Sequence, residues 1–302
     1  MRIWIDTDIG TDVDDALALA YVLRHPGFEL AGVSTVFGDV ALRTRIAQAL
    51  LQVADVPDTY VVSGLGVPLT PGRKGILFGH EGRGIVENPE PRLRVESESG
   101  GTERVEALAE ALAKAEPDVL LAIGPLTNVA ALLNAGAELP PLAIMGGKLE
   151  DVLLAGMVPY ISEWNWFCDP IAVQRVLAAE HRVRPRVVPA EVTFRTRLAE
   201  GDVARLAAAD ALARALATLS EHWLQAQKDL LGSKRPVVAL HDPLTAAVLV
   251  ERGLCPFEAR SIRVDDTGAS HRETGAPNID AAVDVDPTAA REHLMATWLG
   301  SS

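Results

Sequence analysis

The chain has 302 residues, of which 48% are hydrophobic, 23% charged and 5% aromatic, a balance that excludes a disordered, collagenous or disulfide-stapled protein. Lysine and arginine number 28 against 41 aspartates and glutamates, a net charge of −13, and a field of that sign repels polyanions and speaks against nucleic-acid or anionic-membrane binding. A small neutral ligand is the easier partner, and a chain of this length needs no metal merely to fold.

In chain order, short apolar runs alternate with longer Ala/Leu-rich periodic segments, the pattern of a parallel sheet with crossover helices. Residues 2–5 read as a strand, 14–24 as a helix stopped by His25-Pro26-Gly27, and 29–36 as a second strand. A helix is expected over 41–53, a strand over 59–62, a helix over 105–115, a strand over 118–122, a helix over 128–134 and a strand over 142–145. Beyond these come a helix at 170–178, a short strand at 186–188, one long helical stretch at 206–228, an apolar strand-like run at 237–240, strands within 261–286 and a closing helix at 287–299. Residues 68–102 are rich in Gly, Pro, Glu and Arg without a clean period, which suggests a functional flap. No repeat or linker divides the chain, so 1–302 reads as one domain. The cysteines, Cys168 and Cys255, form no close pair, the opening Met1 to Asp6 carries charge too early for a signal peptide, and no apolar run reaches the ~20 residues of a membrane span. These features together point to the cytoplasm.

The turn after the first strand holds five carboxylates in ten residues: Asp6, Asp8, Asp12, Asp14 and Asp15. Helix capping accounts for one or two of them, for instance Thr11 with Asp14 as a capping box. Five such groups repel one another unless a cation sits among them, and hard oxygen donors suit Ca²⁺, which tolerates irregular coordination better than Mg²⁺ does. The turn is no EF-hand, because the twelfth position counted from Asp6 is Leu17 and not a bidentate Glu.

Other polar groups follow later elements. His241-Asp242-Pro243 opens a helix-like stretch, where His241 is either a cap or a general acid and Asp242 a candidate metal ligand. Gly124-Pro125-Leu126-Thr127-Asn128 is a strand-to-helix turn that could aim the Ile123 carbonyl at a cation. Glu163-Trp164-Asn165, read as extended, puts Glu163 and Asn165 on one face. In Gly79-His80-Glu81-Gly82, His80 could reach over a ligand.

Taken together, Asp6-Thr7-Asp8 with Gly10 and Asp14-Asp15, Gly38-Asp39, Gly79-His80-Glu81-Gly82, Gly124-Pro125-Leu126-Thr127-Asn128, Met145-Gly146-Gly147, Glu163-Trp164-Asn165 with Asp169-Pro170, and His241-Asp242-Pro243 resemble the calcium-dependent, inosine-uridine-preferring nucleoside hydrolases. The resemblance implies an α/β, Rossmann-like core with a mainly parallel sheet flanked by helices. It implies an N-ribohydrolase that cleaves ribonucleosides to ribose and base and assembles as a dimer or tetramer. It further implies that Asp8, Asp15, Asp242 and the Ile123 carbonyl hold Ca²⁺, that Asp8 deprotonates the calcium-bound water, and that His241 protonates the leaving base. By the same match Asp14, Glu163 and Asn165 grip the ribose, with Asp39 and His80 also facing substrate.

The residue types agree with that chemistry independently, since an oxocarbenium-like transition state is stabilised by anions and water needs a metal and a base to attack it. The sequence departs from the family pattern in three places. Its turn from Asp8 to Asp14 is two residues longer than in the best-known members, leaving Asp12 as a possible extra ligand. Asp39 stands where the family commonly has Asn, and no base-reading motif is visible in the flap or in 221–235. Two other functions fit parts of the sequence: a haloacid-dehalogenase-like, Mg-dependent phosphatase using Asp6, although such enzymes want Thr or Val where Gly10 stands, and a noncatalytic nucleoside-binding protein on the same fold.

Overall fold

The computed structural model describes residues 1–95, 100–152, 154 and 161–300, so residues 96–99 of the irregular stretch lie outside the described part. The first half runs β1 (Arg2–Thr7), α1 (Asp14–Arg24), β2 (Glu29–Thr35), α2 (Val40–Val53), β3 (Val61–Ser63), β4 (Gly75–Ile76), β5 (Arg94–Val95), α3 (Gly101–Ala115), β6 (Val119–Ala122), α4 (Thr127–Asn134) and β7 (Leu142–Met145). It continues with α5 (Trp164–Cys168), α6 (Pro170–Ala178), β8 (Arg186–Val188), α7 (Ala190–Thr193), α8 (Asp202–Ala207), α9 (Ala211–Leu231) and α10 (His241–Ala247). Last come β9 (Phe257–Arg260), β10 (Ile262–Val264), β11 (Ser270–Arg272), β12 (Ile279–Ala282) and α11 (Pro287–Trp298).

Eight strands form one sheet in the order β3-β2-β1-β6-β7-β8-β12-β9. All neighbours are parallel except the β12–β9 pair. The buried strands are apolar throughout because helices cover both faces. Along β1, Ile3 and Ile5 pack with α1, α2, α9, α10 and α11, whereas Trp4 packs on the opposite face with α3, α4 and α6. The chain order reverses between β1 and β6, since β2 and β3 lie to one side of β1 and β6, β7 and β8 to the other. In such sheets the carboxyl ends of the strands at the reversal open a crevice. Asp6 pairs in register with Ala122, so the acidic turn and Ile123 leave the sheet side by side at that crevice.

The expected strands and helices form with boundaries shifted by a few residues, and three expectations are corrected. The single helix over 206–228 is two, because the Asp210 carboxylate accepts from the Ala213 amide at 3.0 Å and starts α9 afresh. The apolar run 237–240 joins no sheet and makes only an isolated bridge between Ala239 and Arg197. Glu163-Trp164-Asn165 is not extended, since Glu163 caps the N-terminus of α5 and Asn165 lies inside it. Among the described residues the irregular flap contributes one two-stranded antiparallel sheet, β4 with β5. Among the described residues no helix is long and apolar enough to cross a membrane, and both cysteines are buried and unbridged.

Candidate active site

The acidic turn is bent back over the carboxyl end of β1 by two local devices. Gly10 takes φ +119°, a conformation L side chains resist. Gly124, at the end of β6, passes so near that a Cβ there would meet the Asp8 amide nitrogen at 2.9 Å. The capping box expected from Thr11 and Asp14 does not form: α1 starts at Val13 without a side-chain cap, and Thr11 Oγ1 accepts from Arg43 at 3.1 Å.

Arg43, fully buried in α2, is the cation beneath the turn. Its guanidinium donates to the carbonyls of Phe37 at 2.6 Å, Ile9 at 2.9 Å and Asp8, and lies 3.8 Å from the Asp8 carboxylate. Sequence reasoning missed it, although a signal existed: Arg43 occupies the stripe it shares with Ile46, Ala47 and Leu50, the buried face of α2.

Asp8, Asp14, Asp15 and Asp242 are buried together. Carboxylate oxygens of Asp14, Asp15 and Asp242 all lie within 4.8 Å of one another. Burial pushes all four carboxyls above the ordinary range, and mutual repulsion adds to the rise at Asp14, Asp15 and Asp242. Asp12 is pushed to about 7 by the same causes, and burial raises Asp6 to about 7. One arginine cannot neutralise this many carboxylates, so the donor set fits a hard cation held by oxygen. Thr7 donates to Asp15 and fixes one oxygen of the cluster. A second grouping, His25, Glu251 and His293, lies at the far end of α1. There His25 Nδ1 accepts from the Gly27 amide at 3.0 Å, which puts the neutral ring's proton on Nε2, the nitrogen facing Glu251; this geometry does not suit a metal ligand.

The motif residues divide into those facing the cavity and those building its walls. Asp8, Asp12, Asp14, Asp15, Ile123, Glu163, Asn165, His241 and Asp242 all line one cavity of about 250 Å³. Asn165 donates its side-chain amide to the Ile123 carbonyl at 2.8 Å and to Met145 at 3.3 Å, so its Oδ1 remains for a ligand. The Ile123 carbonyl keeps its second lone pair. Glu163 spends most of its capacity on backbone amides, accepting from Asn165 at 2.7 Å, Gly147 at 2.8 Å and Trp166 at 3.0 Å.

Asp39 and His80 are placed elsewhere. The Asp39 carboxylate caps α2 and pairs with Arg92 at 3.1 Å. His80 Nε2 donates to the Thr11 carbonyl at 2.7 Å and its ring stacks on Trp223 at 5.8 Å, so it props the acidic turn from behind. Asp169, Thr127 and Asn128 also act as ties. Asp169 accepts from Leu69, Thr70 and Thr127, and Asn128 donates to Asp6 at 2.7 Å.

His241 sits at the first turn of α10, its ring stacked on Phe194 at 5.6 Å. The Arg197 guanidinium also lies over that phenyl ring, 4.1 Å from its centroid. Burial and the Arg197 guanidinium lower His241 to about 4, so the ring is neutral near pH 7. Its Nδ1 lies 2.6 Å from the hydroxyl of Thr193, a fully buried residue of α7 that no motif singled out. The rest of the cavity wall is aromatic and aliphatic, with Phe78, Trp164, Phe194, Trp223, Ala226, Leu230 and Leu231. Four of these come from α9 at a spacing that puts Trp223, Ala226 and Leu230 on one helix face. The sequence carried no motif for this wall because it arises only when α9 packs over the crevice.

Residues 3–292 match the family model described as inosine-uridine preferring nucleoside hydrolase. The uridine nucleosidase 1 of Arabidopsis thaliana is 27% identical, over 88% of this chain and 79% of that protein. A non-specific ribonucleoside hydrolase of Shigella boydii serotype 18 is 29% identical, over 94% and 90%. The solved purine-preferring ribonucleoside hydrolase of Gardnerella vaginalis superposes with a TM-score of 0.78 at 24% identity, covering 100% of this chain and 99% of that one.

Proposed function

The chain belongs to the inosine-uridine preferring nucleoside hydrolase family, and from that premise we propose how its own residues cleave the N-glycosidic bond of ribonucleosides. The observation that carries the proposal is the convergence, at the sheet's reversal point, of a buried carboxylate cluster with a neutral histidine in one cavity.

We assign Ca²⁺ to Asp8, Asp15, Asp242 and the Ile123 carbonyl, with Asp14 close enough to contribute; bound there, the ion supplies positive charge that acidifies attacking water and gathers sugar hydroxyls. Asp8 takes the proton of that water. Asp14, the free Oδ1 of Asn165 and the remaining lone pair of Glu163 hold the ribose hydroxyls. The surrounding carboxylates favour the positive charge that develops on the sugar ring. His241 presents a ring N–H to the departing base. Asp12, carried by the lengthened turn, stands beside the sugar as an additional acceptor, and Asp39 and His80 hold the flap and the turn in place. A single domain over 1–302, a cytoplasmic setting and a homo-oligomeric assembly complete the proposal.

The test is ribose release from inosine, uridine, cytidine and adenosine. Exhaustive chelation should abolish it and added Ca²⁺ restore it. Full activity in protein shown metal-free by elemental analysis refutes the metal assignment, and Asp8→Asn should lower turnover by several orders of magnitude while the fold persists.

A further inference from the structure

Among the described residues of the irregular flap, Phe78 is the one that lines the cavity, its ring 6.3 Å from Trp164. It is held in place from two sides. Behind it, the fully buried Glu81 carboxylate accepts from the amides of Phe78 at 2.6 Å and Gly79 at 2.7 Å, and His80 donates to the Thr11 carbonyl of the acidic turn. Ahead of it, the Leu77 amide donates to the Leu93 carbonyl at 3.0 Å, so the position of Phe78 depends on the segment that carries Arg92.

Arg92 is tied to the body of the protein by Asp39, at the start of α2. Asp39 Oδ1 accepts from the Leu42 amide at 3.3 Å and from the Arg92 guanidinium at 3.1 Å, and Oδ2 accepts from the Arg92 backbone amide at 3.1 Å. This pattern needs a carboxylate, because an asparagine at that position would turn its NH2, in either orientation of the amide, toward one of these donors. Asp39 is buried, but the Arg92 side chain is 60% exposed, so the ion pair remains open to screening by salt.

Resting on the proposed ribonucleoside hydrolysis, we infer that Asp39 and Arg92 are positioning residues that hold Phe78 against the bound nucleoside and thereby set KM. Neither side chain lines the cavity; the pair acts through the Arg92-Leu93 segment on Leu77 and Phe78. Loosening the pair lowers the fraction of protein with Phe78 in place, and apparent affinity falls in proportion to that fraction. Saturating nucleoside restores the arrangement, so turnover is little changed.

The experiment measures KM and kcat for inosine at saturating Ca²⁺, at about 0.05 and about 0.5 M NaCl, in the wild-type protein, Asp39→Asn, Arg92→Gln and the double variant. Asp39→Asn keeps an oxygen for the Leu42 amide and Arg92 is exposed, so folding is not at stake. Each single change should raise KM about three- to tenfold, the range for a partly exposed ion pair that loses a bond to a charged group, and change kcat by less than about twofold. The double variant should be no worse than the singles, because both break the same link. Inosine is neutral, so a wild-type KM that rises about two- to threefold with salt reports the ion pair, and that rise should be absent from the variants. Tryptic cleavage after Arg83, within the held segment, should be faster in the variants when no nucleoside is present. An unchanged KM in both single variants, a loss carried by kcat, additive losses in the double variant, a retained salt dependence or equal cleavage rates overturns this inference and leaves the hydrolase reading intact. No ribose from inosine, uridine, cytidine or adenosine overturns both.

Discussion

Thr193→Val replaces one buried hydroxyl with a methyl of nearly the same size, and its effect follows from the 2.6 Å contact between Thr193 Oγ1 and His241 Nδ1. If the hydroxyl gives its one proton to Nδ1 and not to the Ala190 carbonyl 3.4 Å away, Nδ1 holds a lone pair and the neutral ring keeps its proton on Nε2, the nitrogen left to face a departing base. Without it, the buried Nδ1 has no partner and nothing sets which nitrogen carries the proton. A buried polar atom stripped of its partner costs about 1–3 kcal/mol. If that penalty is felt in the transition state, kcat/KM for inosine falls roughly 5- to 150-fold, at 1.36 kcal/mol per factor of ten. A riboside whose leaving group departs as a stable anion, such as p-nitrophenolate, needs no proton and should lose about threefold or less. Thr193→Ser keeps the hydroxyl and should restore most of the inosine activity. Equal losses on both substrates, or no rescue by serine, would refute the tautomer argument and leave Thr193 as packing alone.

Arg43→Met should lower stability by about 3–5 kcal/mol, because it strands the Asp8 carboxylate and the Phe37 and Ile9 carbonyls without their buried cation; a melting temperature unchanged within about 2 °C would show that the turn is held otherwise. In metal-free protein, Asp6 and Asp12 are held near 7, above their unfolded value of 3.8. The folded state then binds more protons than the unfolded one between those limits, so stability should fall as pH rises from about 4 to 7, by a few kcal/mol. Calorimetry of chelated protein at pH 5 and pH 8 reads this, and a higher melting temperature at pH 8 contradicts it. Inosine should outperform 2′-deoxyinosine in kcat/KM by on the order of 10³ or more, since a missing hydroxyl leaves Asp14 and Asn165 without a partner; comparable efficiencies would remove both residues from the sugar.

Much of this fold is written locally. Apolar runs such as Val119–Ala122 and Leu142–Met145 are buried on both faces, and Asp169-Pro170 starts α6 as a cap followed by proline should. The acidic turn was legible for the opposite reason, since five aspartates have no stable arrangement without a countercharge. What stayed hidden depends on long-range packing. Glu163 reads as a ligand in sequence, yet three backbone amides claim it first. Asp39 and His80 sit in motifs that suggest substrate, yet Arg92 and the Thr11 carbonyl hold them. The pairing of His241 with Thr193 spans 48 positions, and α9 contributes a wall whose leucines look like any amphipathic helix.

The division of the cavity also constrains where rate acceleration can arise. A group contributes to turnover only through interactions that strengthen in the transition state. On the apolar side, contacts with a flat base are much the same before and after the glycosidic bond stretches, so they act on binding; in the role proposed for it His241 is the exception, because a hydrogen bond it donates tightens as charge moves onto the base. On the acidic side the carboxylates that stay ionised gain as the ribose ring becomes cationic, whereas Asp8, as the proposed base, gives up its charge. Burial of Asp14, Asp15 and Asp242 strengthens that gain where a bound cation keeps them ionised, since it removes the water that would screen it. Changes at the base should therefore move KM more than kcat, and changes at the sugar should move kcat as well.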